Sequence, residues 1–190
     1  MMTDTLFEED IMKKNQKNII IILISLCFLV SCGISNEEKS KKWYEETKAE
    51  ILRQANLKAD STTIVFNDID STFRKEYSFS GGQLFQEKYY SQDNLCCEIY
   101  YSKNGKFELR REFYPNEKHC GFEGIFYKKK GYGIYSCWHR NGQLKEQGVR
   151  YKGERISVWE EWDETGRLIS TIEYIGTSNL LDSMPQITRD

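Results

Sequence analysis

Six side chains in the second half of the chain are of types that hold metals or cycle between thiol and disulfide: Cys96, Cys97, His119, Cys120, Cys137 and His139. Zinc sites draw their ligands in C-x-x-C or H-x-x-x-H pairs, so that two ligands from one turn or helix face reach the same ion. None of the six is spaced that way, and the sequence calls for no metal and no other cofactor. Adjacent Cys96 and Cys97 point to opposite faces of a strand. One of them paired with Cys120 or Cys137, or four free thiols, are both compatible with the spacing. Glu160, Glu161, Asp163 and Glu164 flank Trp162, and two acids beside an aromatic ring are the raw material of glycoside hydrolysis. Strand alternation, however, distributes these acids over both faces. The chain has no G-x-S-x-G, no glycine-rich phosphate loop and no H-E-x-x-H. His119 and His139 fall at strand ends or turns, where a solvated imidazole is expected. No catalytic residue is assigned, and the expectation is a protein that is not an enzyme.

One cysteine stands apart. Cys32 follows the longest apolar run of the chain, Ile19 to Val30, which is about a dozen residues and too short for the roughly 20 that span a bilayer as a helix. Lys13, Lys14 and Lys17 precede the run, giving the order of a secretory signal: basic, apolar, then small residues. Leu29-Val30-Ser31-Cys32 in that position resembles the lipobox of bacterial lipoproteins. The resemblance implies cleavage before Cys32, acylation of its thiol and a membrane anchor, because acyl chains contribute about 0.8 kcal/mol per buried CH2. Gly33 rather than Asp after the cysteine points by the same analogy to the outer membrane more than the inner, with the domain facing periplasm or cell surface. Asp4, Glu8, Glu9 and Asp10 are the wrong charge for the start of a signal, so Met12 is a candidate start.

Composition narrows the partners. The whole chain has 27 Lys and Arg against 29 Asp and Glu, and nearly equal numbers remain after Cys32. With no basic stripe, nucleic acid is not an expected partner. Tyr-rich aromatic content and only two prolines favour strands. Lys128-Lys129-Lys130 reads as a solvated turn, or less simply as a contact for headgroups or an acidic partner.

The elements that position these residues follow from periodicity. Trp43, Tyr44, Ile51, Leu52 and Ala55 recur at helical spacing between about Glu37 and Asn56, with Ser35 and Glu38 in the relation of a capping box. This amphipathic helix is expected to pack on the start of the sheet and cap it. From Thr63 the period becomes alternating. Four segments align on a turn glycine: Tyr77 to Leu84 on Gly82, Tyr101 to Phe107 on Gly105, Trp138 to Leu144 on Gly142, and Trp162 to Leu168 on Gly166. Each has an aromatic four or five residues before the glycine and Leu or Phe two after it, so the pair can meet across a hairpin. Tyr90, Tyr114, Tyr151 and Tyr174 follow eight or nine residues on. The repeat is 23 to 24 residues, with a longer middle gap holding Phe122 to Gly133 as an inserted or degenerate hairpin.

From Gly131 to Tyr174 this pattern resembles the MORN-variant repeat, found in YwqK-like antitoxin proteins: Gly133-Ile-Tyr135, Trp138, Asn141-Gly142-Gln-Leu144, then Tyr151-Lys-Gly153 and Trp159-Glu-Glu-Trp162. Ser157 departs from it, standing where the repeat has glycine. The resemblance implies a mainly β fold, an antiparallel meander of repeated hairpins with one N-terminal helix. It also implies a toxin as the partner of an antitoxin or immunity-type protein. The expected organisation is a signal peptide over 1–31, anchor, helix and linker over 32–62, the repeat domain over 63–175 and a loose tail over 176–190. Aromatics fall on both faces of the strands, so Trp138, Tyr151, Trp159 and Trp162 are the candidate partner-binding residues. The expected function is that of a membrane-anchored protein-binding module; the alternative is an envelope-maintenance lipoprotein gripping glycan or lipid headgroups through an aromatic sheet face.

Overall fold

A computed structural model describes residues 36–55, 58–67, 72–115, 117, 119–175 and 178–188. Cys32, the apolar leader and Ser35 lie outside the described residues. The chain from Asn36 onward forms one unit. It comprises helix α1 (Asn36–Ala55) and ten strands, β1 (Ser61–Phe66), β2 (Phe73–Ser80), β3 (Gln83–Ser91), β4 (Asn94–Tyr101), β5 (Phe107–Phe113), β6 (Cys120–Tyr127), β7 (Lys130–Trp138), β8 (Leu144–Tyr151), β9 (Glu154–Trp162) and β10 (Leu168–Tyr174), followed by a 3-10 helix, Ser178–Ser183. All ten strands pair antiparallel with their sequence neighbours in one sheet ordered β1 to β10. The fold is the expected meander with one helix.

Turn chemistry sets the register. The repeat glycines at 82, 105, 142 and 166 all take positive φ, between 66° and 83°, the left-handed region that glycine enters without steric cost. Behind them Gly105, Gly142 and Gly166 donate to the carbonyls of Ser102, His139 and Asp163 at 2.8 to 2.9 Å. The cross-hairpin pairs Trp138–Leu144 and Trp162–Leu168 form as the spacing predicts. In the first repeat the partner of Leu84 is Phe79 rather than Tyr77. In the second, Tyr101 faces Glu108, because the Ser102 amide donates to Phe107, five residues on, where His139 and Asp163 reach four. The middle gap is the β6–β7 hairpin. It makes three strands between Gly105 and Gly142 where the other repeats have two, so the later repeat turns lie at the opposite end of the sheet from the earlier ones.

The repeat length reappears as contacts between loops at that end. Tyr114 Oη donates to the carbonyl of Trp138 at 2.7 Å, a His139 ring nitrogen lies 2.9 Å from the carbonyl of Trp162, and Asn141 donates to Glu164 at 2.7 Å. Each pair is 23 or 24 residues apart, one repeat.

Ser157 keeps the left-handed conformation of the glycine it replaces, with φ +60° against +71° at Gly133 two residues before Tyr135. Both sit at register shifts, in β9 and β7. The bend survives the substitution, and the serine bears the strain that glycine avoids.

One face of the sheet is covered. Trp43, Tyr44 and Ile51 of α1 form a cluster with Phe107, Leu109, Ile125, Tyr132, Val149 and Ile156. The helix therefore crosses the middle of the sheet, touching β3, β4, β5 and β7, rather than capping its start; its apolar stripe is too long to be buried against a terminal strand alone. The segment after β10 is not a loose tail. Leu181 and Met184 are buried in the same cluster, Trp43 Nε1 donates to the Pro185 carbonyl at 2.8 Å, and Lys39 pairs with Asp182 at 2.9 Å. The loss of alternation after Gly176 marks a change of element, not a loss of packing.

Glu123 of β6 ties the helix to the sheet. It accepts from Tyr44 Oη and Lys48 Nζ, both at 2.6 Å, and from Arg111 Nε at 2.7 Å. Burial pushes its carboxyl upward, but the hydrogen bonds from Lys48, Tyr44 and Arg111 outweigh it and the net position is below the usual range. Tyr44 is raised, first by burial and then by Glu123.

Candidate functional site

The four candidate aromatic residues do not converge. Trp138 lines a cleft between α1 and β6 to β9, together with Glu123, Ser136 and Gln147. Tyr151 packs edge-on to Tyr132, ring centroids 5.4 Å apart, against the covered core. Trp162 lies with His139 and Ile169 in a shallow depression near the β9–β10 turn. Trp159, on the other face, is only 1% exposed. Its indole lies flat on Gly148, where an added Cβ would come within 2.2 Å of the ring, and its Nε1 donates to the Val149 carbonyl at 3.1 Å. A ring so buried offers nothing to a partner, so Trp159 is a packing residue, and the expectation of an exposed aromatic surface is corrected there.

What the second face does present is a groove of about 670 Å³ across β5 to β8. By register, Arg110, Phe122, Phe126, Tyr135 and Arg150 share this face, and among the described residues no helix packs over it. Glycines in strand interiors make room for the rings: a Cβ on Gly124 would meet Phe122 at 2.9 Å, and one on Gly131 would meet the Arg150 side chain at 3.1 Å. Arginines then cover the rings. The Arg110 guanidinium stands 4.9 Å from the Phe126 centroid. That of Arg150 is 4.3 Å from Tyr135 and 5.3 Å from Trp159, and that of Arg155 is 4.1 Å from Trp159. Such contacts contribute about 0.5–2 kcal/mol, more as they desolvate. Lys129, Lys130 and Lys145 stand at the rim.

Charge in the groove is one-sided. Arg110, Lys129, Lys130, Lys145 and Arg150 line it against the single carboxylate of Glu112, in a chain of net charge −2. Glu108 lies 3.7 Å from Arg110 and Glu146 is held by Arg155 at 2.7 Å. The Nε atoms of Arg110 and Arg150 are buried with no hydrogen-bond partner among the described residues. Arg150 Nη1 donates to the Gly153 carbonyl at 2.6 Å and Arg110 Nη2 faces Glu108, so stacking and these contacts fix the arginines and one terminal nitrogen of each is left for a ligand. Sequence reasoning did not assemble this site, since Arg110, Phe122 and Arg150 come from three different strands. The glycines at 121, 124, 131 and 148 were the available signal. Glycine inside a strand marks a place where something bulky lies on the backbone.

Cys96, Cys97, Cys120 and Cys137 are free thiols. Burial first, then Glu112, pushes Cys97 up to about 11, and burial raises Cys120 and Cys137 as well. A thiol so placed is a poor nucleophile. Asp163 folds its own turn, accepting from Thr165 and Arg167. The hydrogen bond from Thr165 leads the effects that lower its carboxyl to about 2. Glu160 and Glu161 pair with Gln147 and Glu146 on opposite faces, as alternation predicts. Among the described residues no group of three or more His, Cys, Asp or Glu is placed to hold a metal, and no helix is long and apolar enough to cross a membrane.

No family model matches the chain, and no curated protein matches it. Among solved structures, a mutant of S. aureus TarM in complex with fondaparinux, α-GlcNAc-glycerol and UDP is similar at 8% identity, covering 72% of this chain and 24% of that one, with a TM-score of 0.32. A second TarM structure is similar at 9% identity over 67% of this chain and 22% of that one, TM-score 0.29. The chain spans about a quarter of the length of these proteins, and similarity this slight bears on neither fold nor activity.

Proposed function

We propose that this chain is a membrane-anchored, non-enzymatic protein-binding module, tethered through an acylated Cys32 and gripping its partner with the uncovered face of the sheet. The observation that carries the reading is the groove itself: a fixed floor of rings and guanidiniums on the face opposite α1. Arg and aromatic side chains held rigid in this way are the residues enriched in binding hot spots. The basic, apolar and small-residue sequence ending in Cys32 supports the anchor. The resemblance to MORN-variant repeats supports an antitoxin or immunity-type role, with a toxin as partner.

The reading is tested in native membranes with a photo-crosslinking side chain at Lys129, on the groove rim, or at Lys41 on α1. A discrete adduct from Lys129 and none from Lys41 is expected. Equal adducts from both, or none from Lys129, would reject the binding face. Cys32→Ser is expected to abolish palmitate labelling and release the chain from the membrane fraction. Continued labelling would reject the anchor.

A further inference from the structure

The groove is more specific than a binding face in general. Resting on the reading above, we infer that its ligand is an acidic polypeptide segment of the partner, an extended stretch bearing Asp or Glu side chains that bridges Arg110 and Arg150 on the floor and Lys129 and Lys145 at the rim.

Three observations lead there. The first is charge: five cations line the groove against the carboxylate of Glu112, in a protein whose overall balance is slightly acidic. Even with Glu108 3.7 Å from Arg110 and Glu146 held by Arg155 on the same face, cations outnumber acids there. The second is the source of the donors. A compact anion such as phosphate is usually held by converging backbone N–H groups at a helix terminus or a nest. Here the floor is interior β-sheet, whose N–H groups are committed to the ladders. Only side chains can donate, and they are dispersed over several strands. Such donors suit a ligand that carries several separated negative groups. The third is the state of the rings. Glycan stacking needs a free aromatic face, whereas Arg110 already covers Phe126 and Arg150 covers Tyr135. Over the floor what remains on offer is guanidinium and ammonium, the partners of carboxylates, while Phe113 and Tyr114 line the groove's other end. Side-chain carboxylates on an extended peptide alternate in direction, so every second residue can reach the floor.

The test uses the full chain in detergent micelles and a fluorescent peptide of about a dozen residues alternating Glu with Ser, measured by anisotropy. Its Gln-for-Glu counterpart, a sulfated oligosaccharide and phosphatidylglycerol vesicles are the other arms. The Glu peptide is expected to bind, to lose roughly tenfold affinity in a Lys129→Gln/Lys145→Gln variant, and to weaken as salt rises. Both lysines are exposed, so this variant keeps the packing intact. Arg110→Gln is the deeper variant, and it is expected to lose at least as much. Equal binding of the Gln peptide, indifference to both variants, or tighter binding of the oligosaccharide or the vesicles would each overturn the inference. An adduct from Lys129 in native membranes with no acidic-peptide binding would leave the binding module standing and remove only this ligand.

Discussion

Under α1, Ile51, Leu109 and Ile125 are buried to 1% exposure or less by a second layer of structure. On the other face Trp159 reaches 1% as well, yet among the described residues no element lies above it. The difference teaches that a sheet can bury a large ring without a second layer if the backbone beneath it is glycine and long cationic side chains close over it. Gly148 lets the indole sink onto the strand, and Arg150 and Arg155 lie across it. The covered face therefore ends in helix, and the uncovered one ends in charge. That is why the first is a core and the second a candidate site.

Substitutions separate the two modes of burial. Trp159→Ala is expected to have the largest effect, about 3–5 kcal/mol of lost stability by denaturant titration. Its cost would match that of a core residue if the ring is truly buried by its neighbours; a loss under about 1 kcal/mol would show that the ring is in water after all. Next is Glu123→Ala, expected to cost about 3 kcal/mol by removing the acid that Tyr44, Lys48 and Arg111 share, leaving Lys48 without its carboxylate and Arg111 with Glu98 alone. The same residue gives a pH signature. Its carboxyl is lower in the folded protein than in the unfolded chain, so the unfolded chain binds the proton more readily. Stability from it is present above the usual carboxylate range and drains away as pH falls below that range. Chemical denaturation of Glu123→Gln should show a weaker acid dependence than the parent, and an identical pH profile would remove Glu123 from the account.

Met184→Ala follows, at about 2–3 kcal/mol, and it tests whether the C-terminal segment belongs to the covered face; a neutral result would return that segment to the solvent. Ser157→Gly has a smaller effect and the opposite sign, a gain of about 1 kcal/mol from releasing a left-handed serine. A rise in melting temperature checks it, and a fall would show that the serine side chain contributes more than its backbone strain costs. Smallest is Lys129→Gln/Lys145→Gln, expected to change stability by less than about 0.5 kcal/mol while weakening acidic-peptide binding. A large stability loss there would make the rim lysines part of the fold rather than of the site.

Much of this was legible along the chain because it is local. The turn glycines at 82, 105, 142 and 166 need only their own backbone angles, and the helix follows from spacing within twenty residues. Even the 23- to 24-residue period survived as hydrogen bonds from Tyr114, His139 and Asn141 to residues one repeat on. The candidate site was less legible. Alternation correctly put aromatics on both faces, but it does not say which face the helix takes, nor that Trp159 would sink beneath two arginines.

Hairpin turns and strand period are decided by neighbours in sequence, so the antiparallel meander of hairpins was legible from sequence, while its count of ten strands came with the structure. Where α1 lands, that Leu181 and Met184 join it, and that Arg110 and Arg150 share a groove were decided only in three dimensions. Those contacts join residues far apart in the chain, and their energy exists only once the sheet has brought the strands side by side.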